Sequence, residues 1–167
     1  MLEIGAGTGT NLPYYGADVH LALLEPSPYM ARRLEQKAQA LGRRATVVQE
    51  SGERLPFADA AFDSVVCTFV LCSVDDVPQV LREVRRVLRP GGAFYFLEHV
   101  AAPGGWTRRL QAWLTPAQRL LVDGCRLDRD TGLAIQAAGF SHTEVVAHRF
   151  TQAPPWLRPG IYGVAWK

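Results

Sequence analysis

The sequence predicts an α/β fold, a doubly wound and mostly parallel sheet formed by one domain that spans residues 1–167. Short apolar strand segments alternate with amphipathic helical segments, which is the pattern of parallel strands joined by right-handed crossovers. A glycine-rich turn follows the first strand directly, as at the ligand-binding edge of open α/β sheets. Two strand segments near the C-terminal end have no helix between them, so we expect an antiparallel hairpin there.

The first part of the chain contains three predicted strands and one predicted helix. Met1–Ile4 is a short apolar strand, and Leu21–Leu24 is a second one. A helix then begins after Ser27, whose hydroxyl is a good N-cap, and it ends at Gly42. Ala45–Gln49 follows as the third strand. A buried strand seldom opens a natural chain, so we expect a further segment upstream of this sequence.

The middle of the chain contains the clearest helix. Phe62–Phe69 is a continuous apolar strand, of the kind that is buried on both faces of a sheet. In the segment Val77–Leu88, apolar residues recur at steps of three and four, which places one apolar stripe against the sheet. Asp75 or Asp76 caps this helix, and Arg89–Gly92 stops it. The apolar stripe consists of Val77, Val80, Leu81, Val84, Val87 and Leu88.

In the last third of the chain, predicted strands and helices alternate less regularly. Ala93–Glu98 is predicted as the fifth strand. Trp106–Leu121 is predicted as a helix that breaks near Thr115, because Pro116 follows and Thr115 can cap a second piece. Thr131–Ala138 is another helix, ended by a glycine. The chain closes with two strands, Thr143–Phe150 and Ile161–Trp166.

Composition narrows the class of protein. The hydrophobic fraction of 48% and the charged fraction of 20% are those of a globular domain. A net charge of +2 gives no electrostatic case for nucleic acid as a partner. The most apolar run, Val65–Val74, is too short to span a membrane. The three cysteines are odd in number and widely spaced, so we expect reduced thiols, a cytoplasmic location and no metal site.

The strongest functional signal is the turn after the first strand. Glycines at alternate positions let the main chain bend sharply and approach a ligand closely. A dinucleotide site would have a third glycine where Thr10 stands, so the spacing favours a nucleoside cofactor over NAD. The candidate cofactor-binding residues in this turn are Glu3, Gly5, Ala6, Gly7, Thr8, Gly9 and Asn11.

Three later strand ends supply further candidates. Glu25 ends the second strand about twenty residues after the glycines, where a ribose-binding carboxylate is expected. The turn after the third strand could contact a base, and the end of the fourth strand could form a site wall. The candidates in these places are Glu25, Pro26, Ser51, Gly52, Glu53, Thr68, Phe69 and Val70.

Two residues are candidates for acid–base catalysis. His99 lies at the end of the fifth strand, and its unperturbed pKa near neutrality suits a general base. Asp123 is a second candidate, in a short turn with Gly124 and Cys125. A purely structural role is open for both residues.

The motifs Glu3–Gly9, Gly52–Phe57 and Leu88–Gly92, together with Glu25, resemble the class I S-adenosylmethionine methyltransferases of the ubiquinone and menaquinone biosynthesis type. Further segments resemble the methyltransferase-like protein 7 family, whose members methylate alkyl thiols. These segments are Val66–Val74, Gly92–Val100, Asp123–Cys125 and Arg158–Gly163.

The resemblance implies a Rossmann-like methyltransferase domain with strand order 3-2-1-4-5-7-6, the last strand being antiparallel. It implies S-adenosylmethionine as cofactor and a small, largely apolar acceptor. Members of the family carry an amino-terminal membrane anchor and helices before the first strand, and both are missing from this sequence. By resemblance, Glu3, Gly5, Gly7 and Gly9 line the methionine part, Glu25 holds the ribose, and Ser51, Gly52 and Glu53 meet the adenine.

Two alternatives to an alkyl thiol methyltransferase stay open at this point. The acceptor atom could be the oxygen, nitrogen or carbon of a quinone-like or other small molecule. The chain could instead be a non-catalytic module that binds the cofactor. The sequence leaves the oligomeric state undetermined.

Overall fold

The computed structural model describes residues 1–121 and 124–167, with no account of the side chains at 119–121. The described part contains seven strands, four α-helices and two short 3-10 helices. The strands are β1 (Leu2–Ile4), β2 (Leu21–Leu24), β3 (Ala45–Val48), β4 (Phe62–Thr68), β5 (Leu88–His99), β6 (His142–Arg149) and β7 (Pro159–Trp166). The helices are α1 (Pro28–Ala40), α2 (Val77–Val87), α3 (Gly105–Leu121) and α4 (Thr131–Ala137), and the 3-10 helices are Leu12–Tyr14 and Pro155–Leu157.

The sheet order is β3-β2-β1-β4-β5-β7-β6, which confirms the predicted order. Strands β1 to β5 pair in parallel. Strand β7 runs antiparallel to both of its neighbours, β5 and β6, so the predicted terminal hairpin is also confirmed. Because β1 lies in the middle of the order, the glycine-rich turn that follows it lies near the centre of one sheet edge.

Both predicted caps of the first two helices are confirmed. The Ser27 hydroxyl accepts from the amide of Met30 at 3.4 Å at the start of α1. At the start of α2 the capping residue is Asp76, whose Oδ1 accepts from the amide of Gln79 at 2.9 Å. The first backbone N–H groups of a helix have no acceptor within the helix. These two side chains supply one, and they therefore fix where each helix begins.

The two faces of the sheet carry separate cores. On one face, the apolar stripe of α2 packs against β1, β4 and β5, and α4 contributes Ile135. The other face packs Leu21 and Leu23 against Leu34 of α1. Farther along that sheet, Tyr95 and Tyr162 are each nearly half exposed, at 46% and 45%.

Two predictions about element boundaries were wrong. The helix at Trp106–Leu121 does not break at Pro116: α3 is continuous, and the Thr115 hydroxyl donates to the carbonyl of Gln111 at 2.8 Å instead of capping a second helix. Gln111 is buried and bonds the backbone of Val100, Ala102 and Trp156. These tertiary bonds anchor the helix one turn before the proline, which outweighs the single bond that proline removes.

The segment Arg89–Gly92 was predicted to stop α2 and to precede a strand that begins at Ala93; α2 does end before it, but the segment belongs to β5, which begins at Leu88. Leu88 pairs with Phe62 across the sheet, and the register shifts between Phe62 and Ser64. The amide of Gly91 donates to the carbonyl of Lys167 at 3.1 Å, and the Lys167 amide donates to Gly92 at 3.0 Å. Pairing with the last residue of the chain extends the strand, and no local pattern in the sequence carries that information.

Candidate functional site

A cavity of about 430 Å³ opens where β1, β2 and β4 end. This is the edge at which open α/β sheets bind ligands, and the volume lies within the usual range for a small-molecule pocket. Most of the predicted cofactor residues line it. They are Gly5, Gly7, Glu25, Pro26, Ser51, Gly52, Glu53, Phe69 and Val70.

The glycines of the turn are required by its backbone. Gly5, Gly7 and Gly9 all have positive φ, at 65°, 55° and 79°, a region that other residues rarely adopt. A Cβ on Gly9 would lie 2.7 Å from Leu12 and 2.9 Å from Leu34, and a Cβ on Gly5 would overlap Val70. A Cβ on Gly7 would have no other atom within 4 Å, so Gly7 faces open space at the cavity.

Glu25 joins the glycine turn to the start of α1. Its buried carboxylate accepts from the amide of Gly7 through Oε2 and from the amide of Ser27 through Oε1, both at 2.9 Å. Each carboxylate oxygen can accept a second hydrogen bond. Glu25 therefore fixes the turn and still has acceptor capacity for hydroxyl groups of a ligand in the cavity.

Glu3, Asn11 and Thr68 lie beneath the turn, outside the cavity lining. The Asn11 amide group donates to Glu3 Oε1 at 2.8 Å and to the Thr68 hydroxyl at 3.1 Å. Burial raises the pKa of Glu3. Its second oxygen, Oε2, is buried and has no hydrogen bond within 3.5 Å among the described residues, but the Tyr15 hydroxyl lies near enough to the carboxylate to act as a donor that opposes the rise in the pKa. Glu3 does not line the cavity, so its contribution to a ligand there is to hold the glycine turn through Asn11.

The remaining turn residues also lie outside the cavity lining. Ala6 packs in the apolar cluster around Leu34. Thr8 lines a separate surface depression with Arg33 and Lys37 of α1. Ala6, Thr8 and Gly9 thus shape the turn from its far side.

The turn after β3 supplies a polar wall. The Ser51 hydroxyl donates to the carboxylate of Glu53, and Glu53 Oε1 also accepts from the amide of Asp75 at 2.9 Å. Partial burial alone would raise the pKa of Glu53. The hydrogen bonds from Ser51 and from backbone amides outweigh that effect, so the pKa is lowered and the carboxylate stays charged.

The opposite wall is apolar and aromatic. Phe69 has a positive φ of 57° and follows β4 directly. Its ring stacks on His99 at 4.5 Å between centroids and meets Phe150 edge-on at 5.3 Å. His99 therefore lies behind Phe69 relative to the cavity, which it does not line. Burial lowers the pKa of His99, so its ring is neutral near pH 7.

Asp123, the other candidate acid–base residue, lies outside the described residues. Several residues at the cavity were missed by sequence reasoning, among them Met30, Ser73 and Val74. Two more, Glu98 and Arg129, bond the backbone that lines it. A buried glutamate inside the apolar segment Phe94–Val100 was the one signal that could have pointed to Glu98.

The residues present fit S-adenosylmethionine. Glu25 has acceptor capacity left for the ribose hydroxyls, the turn after β3 can meet the base, and the open space at Gly7 leaves room for the methionine part. Within the described residues, no cluster of three or more His, Cys, Asp or Glu side chains could hold a metal ion. No described helix has both the length and the apolar character needed to cross a membrane.

Comparison with known proteins agrees with this geometry. Residues 2–96 match the family model described as "Methyltransferase domain". The chain is 42% identical to the thiol S-methyltransferase TMT1A of Homo sapiens over 176 aligned positions, covering 100% of this chain and 70% of that protein. It is 38% identical to the ubiquinone/menaquinone biosynthesis C-methyltransferase UbiE of Hahella chejuensis, covering 59% of this chain and 42% of that one.

Solved structures share the fold at low sequence identity. The YcgJ protein of Bacillus subtilis superposes with a TM-score of 0.76 at 19% identity, covering 99% of this chain and 90% of that one. The [4+2]-cyclase SpnF superposes with a TM-score of 0.77 at 20% identity, covering 99% and 74%. At such identities the likeness shows the fold alone, and one of the two proteins is named as a cyclase.

Fold, site and comparisons together define an S-adenosylmethionine-dependent methyltransferase of class I. The acceptor class that the sequence predicts, a small molecule, agrees with the relatives. The chain belongs to the methyltransferase domain family, and within it to the group that contains the thiol S-methyltransferases.

Proposed function

We propose that this protein transfers the methyl group of S-adenosylmethionine to the sulfur of a small, apolar alkyl thiol. The observation that carries the proposal is the cavity itself, which has carboxylates on one side and the aromatic wall of Phe69, His99 and Phe150 near the other. The identity to thiol S-methyltransferases supports sulfur as the acceptor atom.

In this proposal the two sides of the cavity have different tasks. Glu25 and the turn after β3 bind the nucleoside half of the cofactor. The cofactor, when bound, supplies an electrophilic methyl group. Phe69 and Val70 exclude water on the acceptor side, which strengthens the attraction between opposite charges there. Alignment of the two reactants can account for most of the acceleration, about 7–11 kcal/mol.

The proposal is tested by product analysis with matched acceptors. The chain is incubated with S-adenosylmethionine and either an alkyl thiol, the corresponding alcohol, a primary amine or a phenol. We expect a methyl thioether from the thiol and little product from the others. Methylation of the phenol or of a quinone-like carbon, with none of the thiol, would contradict sulfur as the acceptor.

The matched control is Gly7→Val. A β-branched residue is strained at the positive φ of Gly7, and its side chain would occupy the open space that the turn leaves for a ligand. We expect this variant to stay folded by circular dichroism and to lose thioether formation. Full activity in Gly7→Val would show that methyl transfer occurs at another site.

We further propose that His99 accepts the thiol proton, after a movement of the Phe69 ring. A simple alkyl thiol is a weaker acid than free cysteine, whose pKa is about 8.5, so less than about one-tenth of it is ionised at pH 7.5 and a base can raise the rate by at least about tenfold. His99→Gln should therefore lower kcat/KM by at least about tenfold at pH 7.5, and the loss should shrink steadily as the pH rises and more of the thiol ionises in solution. A pH-independent loss would contradict the base and indicate a packing role beside Phe69.

We also propose that the protein acts in the cytoplasm on small molecules and not on nucleic acid. The odd number and wide spacing of the cysteines in the sequence support a reducing compartment, and the net charge of +2 supports a small-molecule acceptor. Thiol titration of the denatured protein, purified under conditions that block exchange, should count three reduced cysteines. A disulfide between any two would contradict the cytoplasmic location.

A further inference from the structure

One turn of backbone forms much of the cavity wall next to Phe69. This turn, Val70–Val74, is closed by the Val70 carbonyl, which accepts from the amides of Ser73 at 2.8 Å and Val74 at 3.1 Å. Val70, Ser73 and Val74 line the cavity. The shape of the cofactor site thus depends on where the Val70–Val74 turn lies.

The N-terminal end of the turn is held by Glu98 on β5. Its Oε1 accepts from the amides of Val70 at 2.9 Å and Leu71 at 3.1 Å, and from the thiol of Cys67 at 3.5 Å. Glu98 is fully buried and does not line the cavity. A carboxylate that faces the free amides of a helical turn stabilises that end of the turn.

The C-terminal end of the turn is held by Arg129, just before α4. Its Nη1 donates to the carbonyl of Leu71 at 2.9 Å and to the carbonyl of Val74, and its Nη2 donates to the carbonyl of Asp75 at 3.3 Å. Arg129 does not line the cavity either. One guanidinium with several donors can satisfy several carbonyls at once, which a lysine cannot do in the same geometry.

We propose that Glu98 and Arg129 are positioning residues for the methyl-transfer reaction, which fix the cofactor cavity by holding opposite ends of the Val70–Val74 turn. Neither residue needs to touch the cofactor or the acceptor. The inference uses the cavity as the cofactor site and does not depend on sulfur being the acceptor atom.

The experiment measures the Kd for S-adenosylmethionine by calorimetry on the full chain, at a temperature where each variant is folded by circular dichroism. We expect Glu98→Ala and Arg129→Met each to raise Kd about tenfold. A change of this size corresponds to the loss of one or two net hydrogen bonds. The conservative Glu98→Gln, whose amide oxygen can still accept from the turn, should stay within about threefold of wild type. Arg129→Lys should fall between Arg129→Met and wild type.

Arg32→Met is the matched control, because Arg32 is exposed on α1 and does not line the cavity. Its Kd should not change. In steady-state assays, the positioning variants should raise KM for S-adenosylmethionine and change kcat less than threefold. A role confined to fold stability would instead lower Tm and leave both Kd and KM unchanged.

The outcomes separate this inference from the proposed function. Folded Glu98→Ala and Arg129→Met proteins that bind S-adenosylmethionine as tightly as wild type would overturn the positioning roles. If Glu98→Ala does not fold, Arg129→Met decides the question alone. A wild-type chain that binds the cofactor but methylates no thiol contradicts only the acceptor. A wild-type chain without affinity for it contradicts the cavity assignment, and the positioning roles with it.

Discussion

Replacing Glu25 by alanine is expected to weaken S-adenosylmethionine binding by about 100-fold. The substitution removes the carboxylate proposed to bind the ribose, and hydrogen bonds to a charged group contribute about 1.5–3 kcal/mol each. It also leaves the amides of Gly7 and Ser27 without their acceptor, so the glycine turn loses its tie to α1. A factor of 100 corresponds to about 2.7 kcal/mol, which one or two such bonds account for.

Calorimetric titration with S-adenosylmethionine measures the effect, and Glu35→Ala is the matched control. Glu35 is an exposed glutamate on α1, so its removal should leave Kd unchanged. Glu25→Gln should lie between alanine and wild type, because it keeps one acceptor oxygen but presents a donor where the second was. An unchanged Kd in folded Glu25→Ala would refute the assignment of this carboxylate to the cofactor.

The second large effect is on stability and comes from Glu98. Burial raises the pKa of this carboxyl to about 7, even though the amides of Val70 and Leu71 and the Cys67 thiol donate to it. The thiols of Cys67, Cys72 and Cys125 also interact with it; the pKa values of Cys67 and Cys72 are raised, and that of Cys125 is lowered by its hydrogen bond with Cys72. The thiols of Cys67 and Cys72 remain protonated at neutral pH, and the Arg129 guanidinium bonds backbone carbonyls of the turn and makes no described bond with the Glu98 carboxylate.

The sign of the pH dependence follows from proton binding. The unfolded chain releases the Glu98 proton at a pKa of 4.5, whereas the folded chain holds it until about pH 7. Between these values the folded state binds more protons, so the free energy of unfolding falls as pH rises. The stabilisation is fully present below pH 4.5, and about 3 kcal/mol is lost once the pH passes about 7.

Glu98→Gln should remove this contribution, because the amide stays neutral at every pH and can still accept from the turn. We expect the difference in unfolding free energy, variant minus wild type, to rise by about 3 kcal/mol between pH 4.5 and pH 8. Urea unfolding at several pH values measures it, with Glu35→Gln as the exposed control. A difference that stays constant with pH would show that Glu98 is ionised throughout.

Much of the fold was predictable because its signals are local. The three- and four-residue spacing from Val77 places α2, and the caps at Ser27 and Asp76 fix where two helices begin. The positive φ at Gly5 and Gly7 agrees with a turn that only glycine accommodates easily. The spacing from this turn to Glu25 indicated a nucleoside site. In the structure the turn and Glu25 line the same cavity.

The errors and omissions arose where distant parts of the chain meet. α3 continues through Pro116 because Gln111 is anchored to two other segments, and β5 begins early because Lys167 pairs with Gly91 and Gly92. The stacking of Phe69 on His99, which separates the proposed base from the cavity, joins residues thirty positions apart. No local pattern encodes any of these contacts.

The sequence by itself determined the class of fold, the glycine turn and the acid that ends β2, because periodicity, capping and backbone freedom act within a few residues. Only the tertiary structure decided which groups hold the Val70–Val74 turn. Glu98 is 28 residues from Val70 in the chain, and it meets the turn because the sheet order places β4 beside β5. Arg129 is 58 residues from Leu71 and reaches the turn from the segment just before α4. A buried charge acquires its role from the partners that folding brings to it, and these are set by packing of the whole domain.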